Sequence, residues 1–227
     1  MTRDIRETVE RIKETDVRVT VTSPDFGPES LESFYDYQLA AFGCLRYLQR
    51  EKPDCDGILL ACFGDPGLYA LKEISRVPVI GIAEASLSVS LLMGQKFSLL
   101  VASEKAVPMM KDMVNQYGLT SRLASIEPIG MSVLDVEENK EESVRRLLVA
   151  GRRALDHGAE VLILGCAGMT GLKQRIEEEL GVPVIDPVEC GYKVLEMMAR
   201  QRFPVSKTGL YRAPEPKAIQ QSALLTE

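Results

Sequence analysis

Two cysteines stand in matched settings. Cys62 opens CFGDPGL and Cys166 opens CAGMTGL, so the chain writes Cys-x-Gly-x-x-Gly-Leu twice, each time directly after an apolar run. Two thiols facing one pocket can do what one cannot. Inverting the stereocentre of a carbon acid needs a base that takes the proton from one face and an acid that returns one to the other. A thiolate and a thiol supply both roles, and exchange them for the opposite enantiomer. Backbone amides of the glycine loops would hold the enolate oxygen between the two steps, with no cofactor and no metal. The amides and dipole of the helix after each cysteine are expected to lower its pKa from about 8.5. Reacting distances of about 3–3.5 Å on each side place the sulfurs roughly 6–7 Å apart, beyond disulfide reach.

The match extends past the cysteines. After Cys62 come Gly64, Gly67, Leu68, Val77-Pro78-Val79-Ile80 and Glu84; after Cys166 come Gly168, Gly171, Leu172, Val182-Pro183-Val184-Ile185 and Glu189. A single residue of slippage separates the copies, so internal duplication is the simplest account. A lone cysteine at a strand end is more simply a small buried hydrophobe. Two at corresponding points of a repeat favour the chemical role. Cys44, Cys55 and Cys190 lack that setting and read as packing residues, Cys190 near a cleft edge. Five cysteines with no CxxC spacing point away from a disulfide framework and from a zinc site.

The elements that must carry these loops alternate along the chain. Residues 3–14 have helical apolar spacing, 17–22 (VRVTVT) alternates as a strand, and a Pro/Gly-rich loop leads to a helix near 31–50. Strands are expected at 56–61, 77–82, 97–102, around 123–130, at 160–165 and at VPVID. Helices are expected after most of them, including a long one at 139–157 and another from about 188 to 200. A proline-bearing tail follows, expected to pack on the body. GILLA and VLIL are apolar on both faces, the mark of parallel strands covered by helices on both sides. In such sheets chemistry sits beyond the carboxyl ends of the strands, where both cysteines fall. The expected fold is α/β, with two pseudo-symmetric, doubly wound parallel-sheet lobes and the active site in the cleft between them. Residues 1–94 plus 188–227 make the lobe of Cys62, and 95–187 the lobe of Cys166.

A chain of 227 residues, 45% apolar and 26% charged, can bury such a core. No apolar stretch reaches the roughly 18 residues of a membrane helix, and the charged start MTRDIRETVERIKE is unlike a signal peptide, so a cytoplasmic protein without membrane contact is expected. A net charge of −6 without a basic block argues against nucleic acid. Arg145-Arg146, Arg152-Arg153 and His157 read as solvated helix positions. Glu84 and Glu189 read as helix-start residues and Asp65 as a turn or cap. Tyr35 and Asp36 are weighed as residues that approach the pocket.

ACFGDPGL…VPVIGIAEA and LGCAGM…VPVIDPV, with GPESLESFYD, FSLLVASEKAVP and SKTGLYRAPEPK in order, resemble the hydantoin racemase branch of the aspartate/glutamate/hydantoin racemase superfamily, which includes allantoin racemases. The CNTA-like and GCTE-like motifs of aspartate and glutamate racemases are not present. The resemblance implies a cofactor-independent racemase of small molecules, commonly a homo-oligomer, with Cys62 and Cys166 as the acid–base pair. It implies that Phe63, Gly64, Ala167 and Gly168 line the pocket, with amides toward the substrate carbonyls. It departs from the family at Val101-Ala102, where a threonine pair is usual, leaving Ser103 beside Ala102 as the nearby hydroxyl. Family chains also open with a short strand and an Asn-Pro-Asn-like loop. MTRDIRETVERI aligns with the helix after that loop, so the numbering is expected to begin at an internal methionine, with roughly 15–20 residues ahead of it. Three functions stay open. They are a 5-substituted hydantoin or ureide racemase, a racemase or decarboxylase of another carbon acid of amino-acid or malonate type, and a ligand binder without turnover.

Overall fold

Strands rich in β-branched residues and leucine, each followed by a helix, assemble into two parallel sheets in a computed structural model that describes residues 1–218 and 220. The smaller sheet pairs β1 (Ile58–Leu60) with β2 (Val79–Gly81). The larger has the order β4-β3-β5-β6, from β3 (Phe97–Val101), β4 (Leu123–Pro128), β5 (Val161–Leu164) and β6 (Val184–Ile185). Helices complete the units: α1 (Thr2–Ile12), α2 (Phe34–Glu51), α3 (Leu68–Ile74), α4 (Ile82–Met93) and α5 (Ala106–Gln116), then α6 (Val133–Glu138), α7 (Lys140–Asp156), α8 (Lys173–Leu180) and α9 (Pro187–Arg200). Among the described residues no helix is long and apolar enough to cross a membrane.

Successive strand residues feed opposite layers, as the period of two requires. Phe97, Leu99, Val101, Val161 and Ile163 pack toward Met109, Met110 and Met113 of α5, Ile82 and Leu87 of α4, and Val9 of α1. Leu100, Leu162, Leu164 and Val184 pack the other way, on Leu147, Ala150 and Ala154 of α7 and Ile176 of α8. The larger sheet is therefore covered on both faces. Burying one of these side chains is worth about 1.5–3 kcal/mol.

The duplication is visible in three dimensions. Leu59 pairs with Ile80 in one sheet, and the equivalent Ile163 pairs with Ile185 in the other. Asp65 N–H donates to the Cys62 carbonyl and Met169 N–H to the Cys166 carbonyl, both at 3.1 Å. Gly67 and Gly171, equivalent residues, both take left-handed backbone, with φ of 78° and 82°. The second helices of the repeats, α4 and α9, pack on each other, and a Cβ on Gly191 of α9 would sit 2.9 Å from Ile82 and 3.0 Å from Leu59.

Two expectations need correction. The segment 17–22 pairs with no strand among the described residues, although Val17, Val19 and Val21 are half-buried and Arg18, Thr20 and Thr22 exposed. Side-chain alternation is present, but a strand is completed by a neighbour's backbone, and among the described residues β1 is paired with β2 alone. Helix α6 was not foreseen, although Ser132 and Asp135 form a capping box at its start. The tail does pack on the body: Tyr211 lies 6.1 Å from the Tyr69 ring of α3, with the Lys72 ammonium 5.2 Å from its centre. The end of that expected tail lies outside the described residues.

The paired glycines separate two costs. Around Gly171 nothing lies within 4 Å of an added Cβ, whereas at Gly67 it would meet the Ala41 Cβ at 2.7 Å. Gly171→Ala should cost only the left-handed backbone penalty, about 1–2 kcal/mol. Gly67→Ala should cost roughly 1–3 kcal/mol more through overpacking. Urea denaturation of both variants checks the order.

Candidate active site

In the larger sheet the chain runs outward from β3 to β4 on one side and continues through β5 and β6 on the other. Loops leaving adjacent strands that diverge in this way open a crevice at the strands' carboxyl ends. Ala102 and Ser103 leave β3 there, and Gly165, Cys166 and Ala167 leave β5. The Cys62–Phe63 loop leaving β1 closes the crevice from the smaller sheet. All of these except β1 itself line a cavity of about 110 Å³, together with Leu31, Glu32 and Tyr37 from the early loop and helix α2. Ala106, Met109 and Met110 of α5 and Val133 of α6 give it an apolar wall.

Phe63, Ala167, Ala102 and Ser103 are thus among the residues that line this cavity. Gly64 and Gly168 lie behind the lining. A Cβ on Gly64, whose φ is 134°, would land on the Tyr37 hydroxyl, which donates to the Phe63 carbonyl at 3.2 Å. Gly168 turns its N–H onto the Cys166 sulfur at 3.3 Å. Lys140 donates to the Gly168 carbonyl at 2.8 Å, securing the same turn.

Tyr35 is 73% exposed and Asp36 serves the start of α2, where it accepts the Glu32 N–H at 3.0 Å. The tyrosine that reaches the cavity is Tyr37. Two residues along a helix turn the side chain by about 200°, to the opposite face, so GPESLESFYDY held the signal but not its phase. Glu32 reaches the cavity after accepting the Val133 N–H at 3.3 Å, a contact between residues far apart in the chain.

Electrostatics correct a further expectation. Burial pushes both thiols up rather than letting the helix ends pull them down. At Cys166, which is 8% exposed, the Gly168 amide and the charge of Lys140 oppose burial; at Cys62 the neighbouring Cys166 and Asp65 reinforce it. Burial also pushes the carboxyl of Asp65 up to about 7, against the pull of the Ala83 and Glu84 amides. Cys190, pushed up to about 11 by burial, packs behind α4 and does not line the cavity. His157 sits at the C-terminus of α7, 2.9 Å from Glu127. Glu84 caps its helix by accepting the Gly81 N–H at 3.2 Å, whereas the Glu189 side chain pairs with Arg11 at 2.5 Å. A wider charged groove of about 760 Å³ between α1 and α8, lined by Asp4, Arg11 and Lys173, contains neither cysteine.

The two sulfurs should therefore titrate in order. Iodoacetamide labelling followed by peptide mapping should show a lower midpoint pH for Cys166 than for Cys62, and Lys140→Met should narrow the gap by raising the Cys166 midpoint.

The family model for Asp/Glu/Hydantoin racemase matches residues 1–195. The chain is 36% identical to a hydantoin racemase of Pseudomonas sp. (strain NS671), over 96% of this chain and 88% of that one. It is 34% identical to a hydantoin racemase of Paenarthrobacter aurescens, over 96% and 93%. An allantoin racemase structure from Klebsiella pneumoniae superimposes with a TM-score of 0.92 at 31% identity, covering 99% of this chain and 93% of that one. Likeness of this extent, in sequence and in fold, means that the chain belongs to the Asp/Glu/hydantoin racemase family of isomerases.

Proposed function

We propose that the protein racemises 5-substituted hydantoins, or a related ureide such as allantoin, by a cofactor-independent two-base reaction through an enolate. The observation that carries this is a shared cavity: Cys62 and Cys166, from two copies of one motif, line it together, and among the described residues no lysine or arginine side chain does. Relatives that are themselves hydantoin racemases and allantoin racemases support the substrate class. In this proposal residues 1–94 with 188–227 and residues 95–187 act as the two lobes, one cysteine from each.

A hydantoin suits such a cavity because its C5–H lies next to a carbonyl, and the ring carries no charge at neutral pH. Cys166, favoured as thiolate by the Gly168 amide, takes the C5 proton from one face. The electron pair moves onto the adjacent carbonyl oxygen, which the amides around Phe63 and Ala167 receive, with the Ser103 hydroxyl nearby. Cys62 then gives its proton to C5 from the other face. The enzyme ends with the roles exchanged, ready for the opposite enantiomer. Phe63, Ala102, Met109 and Met110 offer the 5-substituent an apolar wall. Glu29 and Glu32 at the lining disfavour a free carboxylate, which separates this substrate from amino acids and malonates.

A single enantiomer of 5-isopropylhydantoin in heavy water should lose optical rotation while gaining deuterium at C5, with kcat/KM still rising at about pH 9 because burial holds both thiols above their usual range. Cys62→Ser and Cys166→Ser should each lower racemisation at least about 100-fold. One of them should keep exchange from one enantiomer only. No rotation change and no deuterium uptake across several hydantoins would refute the proposal.

A carboxylate on the substituent supplies a second test. 5-Carboxymethylhydantoin should show a KM at least about tenfold above that of the isopropyl compound, and Glu32→Gln should shrink the difference. Equal KM values would remove the charge argument.

A further inference from the structure

Each cysteine loop is tied to the helix that begins after the next strand, and each tie is one buried carboxylate. In the first repeat the carboxylate comes from the loop: Asp65, three residues after Cys62, accepts the Ala83 N–H at 3.0 Å and the Glu84 N–H at 2.8 Å at the start of α4. Tyr117, the residue that follows α5, adds its hydroxyl at 3.1 Å. In the second repeat the carboxylate comes from the helix. Asp186, the N-cap of α9, accepts the Val188 N–H at 2.9 Å and the Glu189 N–H at 3.2 Å, and reaches back to the loop for the Gly171 N–H at 2.8 Å and the Thr170 hydroxyl at 2.9 Å. Val188 and Glu189 are the repeat equivalents of Ala83 and Glu84. The same two amides are held in both copies, from opposite ends.

The residues facing these carboxylates are exchanged to match. Asp186 corresponds to Gly81, and Asp65 to Met169. A Cβ built on Gly81 would land on the carboxyl group of Asp65, so the first repeat has room for one carboxylate and not two. Backbone does not impose the glycine, because Gly81 has φ −89° and ψ 144° and Asp186 φ −78° and ψ 118°, all ordinary for any residue. Instead Asp65 is the residue with a costly backbone, at φ 47°.

We infer that Asp65 and Asp186 are positioning residues, latches that hold the Cys62 and Cys166 loops in register with α4 and α9. Because α4 and α9 pack directly on each other, the two latches refer both sulfurs to one rigid helix pair, which fixes their separation across the cavity. For kinetics this rests on the proposed two-base reaction, in which a misplacement of about 1 Å costs on the order of 100-fold. For the thiols themselves it does not.

The test is an exchange. Asp65→Ala should lower hydantoin racemisation on the order of 10–100-fold in kcat with little change in KM. It should also shift the rate and midpoint pH of Cys62 alkylation while leaving those of Cys166 unchanged. Asp186→Ala should do the reverse. Asp65→Ala combined with Gly81→Asp moves the carboxylate to the place it holds in the second repeat, and should return both kcat and the Cys62 profile to within about threefold of wild type. If Asp65→Ala does not fold, Asp65→Asn takes its place in the series. A double variant no better than the single, or variants that shift both cysteines alike, would overturn the latch. If the wild type racemises no hydantoin, the proposed reaction falls, and the alkylation profiles alone decide for or against the latch.

Discussion

The contact between α4 and α9 is what the remainder of the architecture depends on. Each helix is the last element of one repeat, and each begins directly after the strand beside a cysteine-bearing strand. Their close approach needs Gly191, since a side chain there would press on Ile82 and Leu59. Ile82 and Val188, at equivalent ends of the two helices, are fully buried in one cluster with Phe63, Ala167 and Ile163. Two loops that are far apart in the chain are thereby brought to one cavity by a joint made largely of aliphatic packing, whose density leaves little freedom to slide.

That placement has an electrostatic consequence. Thiols sheltered enough to meet across a small apolar cavity are costly to ionise: burial raises both, against the Gly168 amide at Cys166 and with no opposing amide at Cys62. The two sites are nevertheless unequal. Cys166 has an N–H aimed at its sulfur and a lysine behind the turn, while Cys62 has the buried Asp65 nearby. In the proposed two-base reaction such inequality suits the chemistry, since one base and one acid must be present together. Duplication supplied the symmetry of position, and divergence of Asp65, Met169, Gly81 and Asp186 supplied the difference in environment.

Much of the fold was legible because parallel strands buried on both faces read as short apolar runs, and the helices between them keep a 3.6-residue period. VLIL and FSLLV became β5 and β3, and the matched VPVI segments became β2 and β6. VRVTVT carried an equally clear alternation and formed no ladder, because pairing is a property of two segments and alternation of one. Helix α6 was overlooked where a serine and an aspartate three residues apart announced it. Of the residues lining the cavity, the two cysteines were singled out by their repeated motif, and Phe63, Ala102, Ser103 and Ala167 by the family resemblance. Tyr37, Glu32, Met109 and Met110 were not, since they arrive from α2, α5 and the early loop by packing.

By itself the sequence determined that the chain is a duplicated α/β protein with one cysteine at the same strand end of each copy, because repeat spacing and apolar periodicity are written residue by residue. Only the tertiary structure decided that both thiols open on one cavity, that burial raises rather than lowers their pKa, and that Gly64 and Gly168 serve the loops from behind the lining. Those outcomes depend on which atoms surround a group once the helices have packed, and desolvation and hydrogen bonding are set by that surrounding, not by neighbours along the chain.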